Sequence, residues 1–357
     1  MRVHVGGKWN DEEDLKHIDL GSLELHEREA VQFINDWRSG KQAFTFHTSG
    51  STGAPKRIIF HRHQLEISAR ITIEALQLKP GQTALVCLDT RFVAGTMMLV
   101  RSLVISMNII IRKPVGDPLA DVSDPVDFIA VVPLQLTAML KESVSRLDRI
   151  GTVLIGGAPL DEIIVKSLQK RPGTFFATYG MTETLTHVAL RRLNGPRKQE
   201  VFHLLPGFSA TVDVRGCLML RASHLGDDPI ETNDLVEFVD SFTFRIHGRV
   251  DDVINSGGVK IQPSKVEETL RGFLPEAGYH FRFFVAGVPD DRLGERVCLV
   301  VESEPLTTIE GNNLLEMVKE RLEKFEWPRE IRYAKSFLET STQKVDRRAT
   351  LKSINTQ

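Results

Sequence analysis

The chain has 357 residues, 41% of them hydrophobic and 26% charged, which is too long for one ordinary domain and ample for a buried core. Lys and Arg number 45 against 47 Asp and Glu, so no charge excess points to nucleic acid or to an anionic membrane surface. Cys87, Cys217 and Cys298 make no CxxC pair and no zinc spacing, and no run has signal-peptide character or about 20 apolar residues; a cytoplasmic protein with reduced thiols is expected.

In chain order, the spacing of Val31, Ile34 and Trp37 predicts a helix over 23–38, ended by Ser39-Gly40. Short strands are expected at 43–46 and 58–60, flanking a Gly/Ser/Thr loop, and a helix over 63–78 stops at Lys79-Pro80-Gly81. Strands at 84–88, 108–112, 128–132 and 152–155 alternate with helices at 95–105, 134–146 and 160–170. That alternation predicts an α/β fold with a largely parallel sheet. Beyond about residue 200, β-like runs at 210–214, 217–221, 235–239 and 242–246 predict a smaller, mostly antiparallel β unit. After a junction at His247-Gly248-Arg249, helices at 263–272 and 309–324 and strands at 281–287 and 296–302 predict a small α+β domain with a polar tail. The expected division is 1–248 and 249–357.

The densest chemistry lies in Thr48-Ser49-Gly50-Ser51-Thr52-Gly53-Ala54-Pro55-Lys56. Glycines let backbone N–H groups converge on an anion, hydroxyls add donors, and Lys56 adds charge, which suits a triphosphate. It is not a Walker A loop, because Ala54-Pro55 separates Gly53 from Lys56. A flexible Ser/Gly loop is the plain alternative.

The loop resembles the phosphate loop of the adenylate-forming (ANL) superfamily: acyl-CoA synthetases, peptide-synthetase adenylation domains and luciferases. Further motifs follow in the family's order. Gly156-Gly157-Ala158-Pro159 resembles the turn along the adenine, although a plain strand–helix connection reads the same. Tyr179-Gly180-Met181-Thr182-Glu183 resembles the Tyr-Gly-x-Thr-Glu signature; the resemblance implies that Tyr179 covers the adenine, Thr182 meets the α-phosphate and Glu183 holds Mg²⁺. As an alternative, Thr-Glu-Thr is a helix cap. Glu231-Thr232-Asn233-Asp234 resembles Thr-Gly-Asp, with Asn233 for glycine, which would place Asp234 on the ribose; by itself Asn-Asp reads as a turn. Gly248-Arg249-Val250-Asp251 resembles the interdomain junction, implying Arg249 on the nucleotide and Asp251 as hinge, against a salt-bridged loop. Gly257 and Gly258 resemble the loop beside the pantetheine tunnel. Thr340 to Arg347 resembles the closing motif with its adenylation lysine at Lys344; Gln343 stands where the family has glycine, and a basic tail is the alternative.

The resemblance spans residues 44–348 and implies ATP, Mg²⁺ and CoA with a small carboxylic acid, and neither nucleic acid nor membrane as partner. It has one large departure: only 47 residues precede the phosphate loop, where typical members have well over a hundred. In the acid pocket, Phe92 is followed by Val93 where amino-acid-activating members keep an aspartate. The run from Gly95 to Arg101 resembles that of o-succinylbenzoate–CoA ligases of menaquinone synthesis, which implies that Arg101 pairs with a second carboxylate. An internal ion pair would explain Arg101 equally. Another aryl- or acyl-CoA ligase and a non-catalytic acyl-adenylate-binding relative stay open beside this reading.

Overall fold

The computed structural model describes residues 1–46, the backbone of His47, and residues 57–340 and 345–354. The chain divides into two units, residues 1–160, 164–209 and 221–230, and residues 161–163, 210–220 and 231–357.

The first unit carries β1 (Val3–Val5), β2 (Lys8–Asn10), α1 (Glu12–His17), α2 (Leu25–Arg38), β3 (Ala43–His47), β4 (Arg57–His61), α3 (Arg62–Leu76), β5 (Thr83–Val86), α4 (Val93–Val104), β6 (Asn108–Ile111), β7 (Phe128–Val131), α5 (Pro133–Glu142), α6 (Val144–Leu147), β8 (Thr152–Ile155), α7 (Glu162–Leu168), β9 (Thr174–Gly180), β10 (His187–Arg192) and β11 (Phe202–Leu204). Its main sheet has the order β11-β10-β9-β8-β7-β5-β6-β1-β2. From β9 through β1 the neighbours run parallel; β9–β10, β10–β11 and β1–β2 are antiparallel. Parallel strands buried on both faces read as unbroken apolar runs, as Ile109-Ile110-Ile111 does. One face packs Leu85, Ile110, Ile129, Val153 and Phe175 against α5 to α7 through Leu136, Met139, Leu147, Val165 and Leu168. α4 packs against α2, α3, β5 and β6, and every residue from Gly95 to Ser102 is buried. The helix expected over 134–146 is two helices, broken at Ser143 (φ −127°, ψ 31°).

The second unit opens with β12 (Ser209–Val212), β13 (Cys217–Arg221), β14 (Ile230–Asp240) and β15 (Thr243–Arg249), in that spatial order, with β14 and β15 antiparallel. It continues through β16 (Ile254–Ser256), β17 (Val259–Ile261), α8 (Pro263–Phe273), β18 (Arg282–Asp290), β19 (Gly294–Glu302), α9 (Thr308–Lys319), β20 (Glu330–Ala334) and α10 (Arg347–Ile354). β19 lies between antiparallel β18 and parallel β20. Val285, Val297, Leu299 and Val301 face Val266 and Leu270 of α8 and Leu314 and Val318 of α9; Phe284, Val288, Cys298 and Val300 face Leu351 and Ile354 of α10. Arg347–Ile354, expected as part of a polar tail, is thus a helix. The junction read at residue 248 falls inside this unit, at the end of β15.

Glu267 of α8 ties the closing segment down. Its side chain is 1% exposed, pairs with Arg271 and Arg347 at 2.9 Å each, and accepts the Val285 N–H at 2.9 Å. Glu267→Gln keeps an acceptor but loses both charge-assisted bonds, so it should destabilise the protein by about 1–3 kcal/mol. Urea unfolding measures this; an unchanged midpoint would mean that water serves both arginines as well as Glu267 does.

All three cysteines are free and buried. No helix among the described residues is long and apolar enough to cross a membrane.

Candidate active site

Thr48, Ser49, Gly50, Ser51, Thr52, Gly53 and Lys56 lie outside the described residues, as do Gln343 and Lys344. The strands on either side of the first segment are described. β3 and β4 pair antiparallel from Ala43–His61 to His47–Arg57.

β7, β8 and β9 are parallel neighbours, so their carboxyl ends share one edge, where open α/β sheets bind ligands. Gly156, Gly157 and Ala158 leave the end of β8 there, and Tyr179 stands at the end of β9, its ring edge-on to Phe202 at 6.2 Å. Thr182–Thr184 is a single 3-10 turn rather than the cap of a longer helix. Buried Thr184 holds it, accepting the Met181 N–H at 3.0 Å and donating to the Thr186 carbonyl at 2.7 Å. Thr182 is half-buried, and Glu183 is exposed with no hydrogen-bond or ion-pair partner among the described residues. The motif thus builds a turn that shows Glu183 to solvent and buries the residue after it.

The segment that the resemblance assigns to the acid pocket enters α4 with half-buried Phe92 at its N-cap and Gly95 in its first turn. A Cβ on Gly95 would lie 2.4 Å from the Asp89 carbonyl oxygen, so only glycine lets the 89–95 turn close. Arg101 follows on α4 and is 2% exposed. Its Nη2 donates to Thr186 Oγ1 at 2.8 Å, and its Nε has no partner among the described residues. Those residues include every Asp and Glu of the chain, and none pairs with Arg101. The internal ion pair that the sequence left open is therefore absent. Burial alone pushes the guanidinium down to about 9, which leaves it charged at neutral pH. A buried charge without a counter-charge is costly in a folded chain, and an anionic ligand is the natural relief.

In the second unit, the Glu231–Asp234 segment is strand, part of β14, not a turn. Buried Thr232 donates to the Leu218 carbonyl at 2.8 Å and accepts the Asp234 N–H at 3.1 Å, which fixes the backbone beside Asp234. Arg249 reaches Asp234 at 3.4 Å and grips both Asp251 oxygens at 2.9 and 3.0 Å. Burial lowers the Arg249 pKa, but Asp251, Asp234 and Asp252 outweigh it and raise it overall. Burial raises the Asp251 carboxyl, but Arg249 outweighs it and holds Asp251 below the usual range. A carboxyl lowered on folding adds stability above its unfolded pKa of about 4, and this is lost as pH falls through the lowered value. Asp251→Asn should therefore be less stable than the parent near neutral pH and converge with it in acid; a gap constant across pH would contradict this. Gly257 and Gly258, at φ +62° and +84°, make the two-residue turn of the β16–β17 hairpin, so positive φ already requires them there.

Residues 9–213 match the family model described as AMP-binding enzyme, and the chain belongs to that family. It is 26% identical to the 2-succinylbenzoate–CoA ligase of Escherichia coli (strain K12) over 309 residues, 82% of this chain and 64% of that one. It is also 26% identical to a feruloyl-CoA synthase of Amycolatopsis sp over 336 residues, 84% of this chain and 67% of that one. The chain thus spans about two thirds of the length of these relatives. Among solved structures, the AMP-forming acyl-CoA synthetase/AMP-acid ligase II-like protein of Dyadobacter fermentans aligns with TM-score 0.63 and 37% identity, covering 97% of this chain and 99% of that one. The O-succinylbenzoate CoA synthetase of Bacillus subtilis, in complex with ATP and magnesium ion, shares the fold with TM-score 0.73 at 21% identity over 86% of this chain and 69% of that one.

Proposed function

We propose that the protein is an AMP-forming acid–CoA ligase that works through an acyl-adenylate, with o-succinylbenzoate as its acid. The observation that carries the choice of acid is Arg101: a buried guanidinium on the acid-pocket helix with no Asp or Glu of the chain beside it. Relatives named for 2-succinylbenzoate support the same choice. The feruloyl-CoA synthase relative supports a rival, an aryl acid with a single carboxylate, but that acid would leave Arg101 unpaired.

In the first half-reaction a carboxylate oxygen of the acid attacks the α-phosphorus of ATP and pyrophosphate leaves. Thr48, Ser49, Gly50, Ser51, Thr52, Gly53 and Lys56 would hold the β- and γ-phosphates, Thr182 the α-phosphate, Asp234 and Arg249 the ribose side, and Gly156, Gly157, Ala158 and Tyr179 the adenine. Lys344 would neutralise charge that develops at the reacting phosphate. Glu183, an exposed carboxylate at the strand-end edge, suits Mg²⁺, which would neutralise phosphate charge when bound. In the second half-reaction the CoA sulfur attacks the acyl carbon, the thiol proton is lost, and AMP leaves. Phe92, Gly95 and Arg101 would hold the acid throughout. Residues 249–357 would turn as a lid about Asp251 between the halves, withdrawing Lys344 and presenting Gly257 and Gly258 to the pantetheine arm.

Pyrophosphate release with o-succinylbenzoate, benzoylpropionate (the same skeleton without the ring carboxylate) and ferulate tests the choice of acid. The highest kcat/KM is expected for o-succinylbenzoate; a higher value for ferulate would overturn it.

A further inference from the structure

Behind Arg101 lies a buried polar chain that no motif reading uses. Thr186 Oγ1, which accepts from Arg101 Nη2, lies 3.3 Å from His187 Nδ1. On the other side of the ring, His187 Nε2 lies 3.0 Å from Thr72 Oγ1, and Thr72 Oγ1 lies 3.2 Å from the Ser68 carbonyl one turn back on α3. His187 is 5% exposed and Thr72 fully buried, so water does not complete the bond between them, while Thr186 is half-buried.

Counting hydrogens gives the chain one direction. A guanidinium only donates, so Thr186 must receive from Arg101 with a lone pair and place its own hydrogen elsewhere. Its other hydrogen-bond neighbour among the described residues is His187 Nδ1. Nδ1 must then be bare and the ring proton must sit on Nε2, donating to Thr72, whose hydroxyl donates to the Ser68 carbonyl. The opposite tautomer leaves the Thr186 hydrogen without an acceptor among the described residues. An imidazolium does the same and sets a second positive charge beside Arg101, in keeping with a His187 pKa held well below 6.5 by burial and by Arg101.

We propose that neutral His187 is the positioning residue of Arg101: by accepting the Thr186 hydrogen it keeps the Thr186 lone pair on Nη2, fixes the guanidinium and leaves its remaining donors to the acid's second carboxylate. The inference rests on the reading that Arg101 pairs with that carboxylate. It makes specificity for a doubly charged acid a property of the α3–α4–β10 packing as well as of one arginine.

The test is the preference, the ratio of kcat/KM for o-succinylbenzoate to that for benzoylpropionate. His187→Leu should lower it about tenfold, through KM for o-succinylbenzoate. His187→Asn, which sets an amide oxygen near the Nδ1 position, should restore most of it. Thr72→Val, which is nearly isosteric, should lower it in the same direction by a smaller factor. An unchanged preference in His187→Leu, with preference lost in Arg101→Met, overturns the inference and leaves the underlying reading intact. An unchanged preference in Arg101→Met sinks that reading itself. Should His187→Leu fail to fold, nitrogen NMR of the parent protein, with the His187 signals assigned by their loss in His187→Asn, decides: a proton on Nε2 is expected, and a proton on Nδ1 overturns the inference.

Discussion

Arg101→Met should raise KM for o-succinylbenzoate by roughly 30- to 150-fold, the cost of a charge-assisted pair of about 2–3 kcal/mol. The same variant should leave the ligand-free protein as stable as the parent or more stable. The two effects have one cause. Arg101 is 2% exposed, makes one hydrogen bond among the described residues, to Thr186, and has no Asp or Glu beside it, so the apo protein carries its desolvation without an acidic side chain as counter-charge. Replacing buried charge by apolar volume is commonly neutral or stabilising by up to a few kcal/mol. Methionine fills most of the arginine's volume on a helix already lined by Met97, Met98 and Leu99. Steady-state kinetics and urea unfolding of one preparation measure both. A structural arginine would give the reverse pair of results, an unchanged KM and a lower unfolding midpoint.

Lys344→Ala should lower acyl-adenylate formation by about 10²- to 10³-fold, the usual cost of losing one preorganised group at a developing charge. It should leave thioester formation from supplied acyl-adenylate within a few-fold of the parent. That asymmetry follows only if the lysine serves the first half-reaction and withdraws before the second. Pyrophosphate exchange reads the first half and CoA-thioester formation from synthetic adenylate reads the second. Equal loss in both assays would put Lys344 in a common binding role and remove the reason for a turning lid.

The strand–helix alternation was legible because each element of the parallel sheet is buried on both faces and so reads as an apolar run, as in Phe128–Val131 and Thr152–Ile155. β9 and β10 were less so. The Tyr179-to-Glu183 signature dominates that stretch, and His187–Arg192 ends in two arginines that mask its strand character. α10 reads as a polar tail because its apolar contacts with Phe284 and Phe337 come only from Leu351 and Ile354, too few to set a helical period. Of the site, the residues named by motif are the ones that would touch nucleotide. What stayed hidden is the support. Ion pairs such as Glu267–Arg347 and the Thr72–His187–Thr186 chain join positions 80 or more residues apart, and no local pattern announces them. The lack of a counter-ion for Arg101 is likewise a three-dimensional fact: every acidic residue had to be placed before it could be seen.

The most direct test of the account is the product inventory of a single turnover with o-succinylbenzoate, ATP, Mg²⁺ and CoA, read by mass spectrometry. One AMP and one pyrophosphate should appear for each o-succinylbenzoyl-CoA, with the acyl-adenylate accumulating when CoA is left out. ADP and phosphate in place of AMP and pyrophosphate, or thioester formed with no adenylate when CoA is withheld and then added, would contradict it.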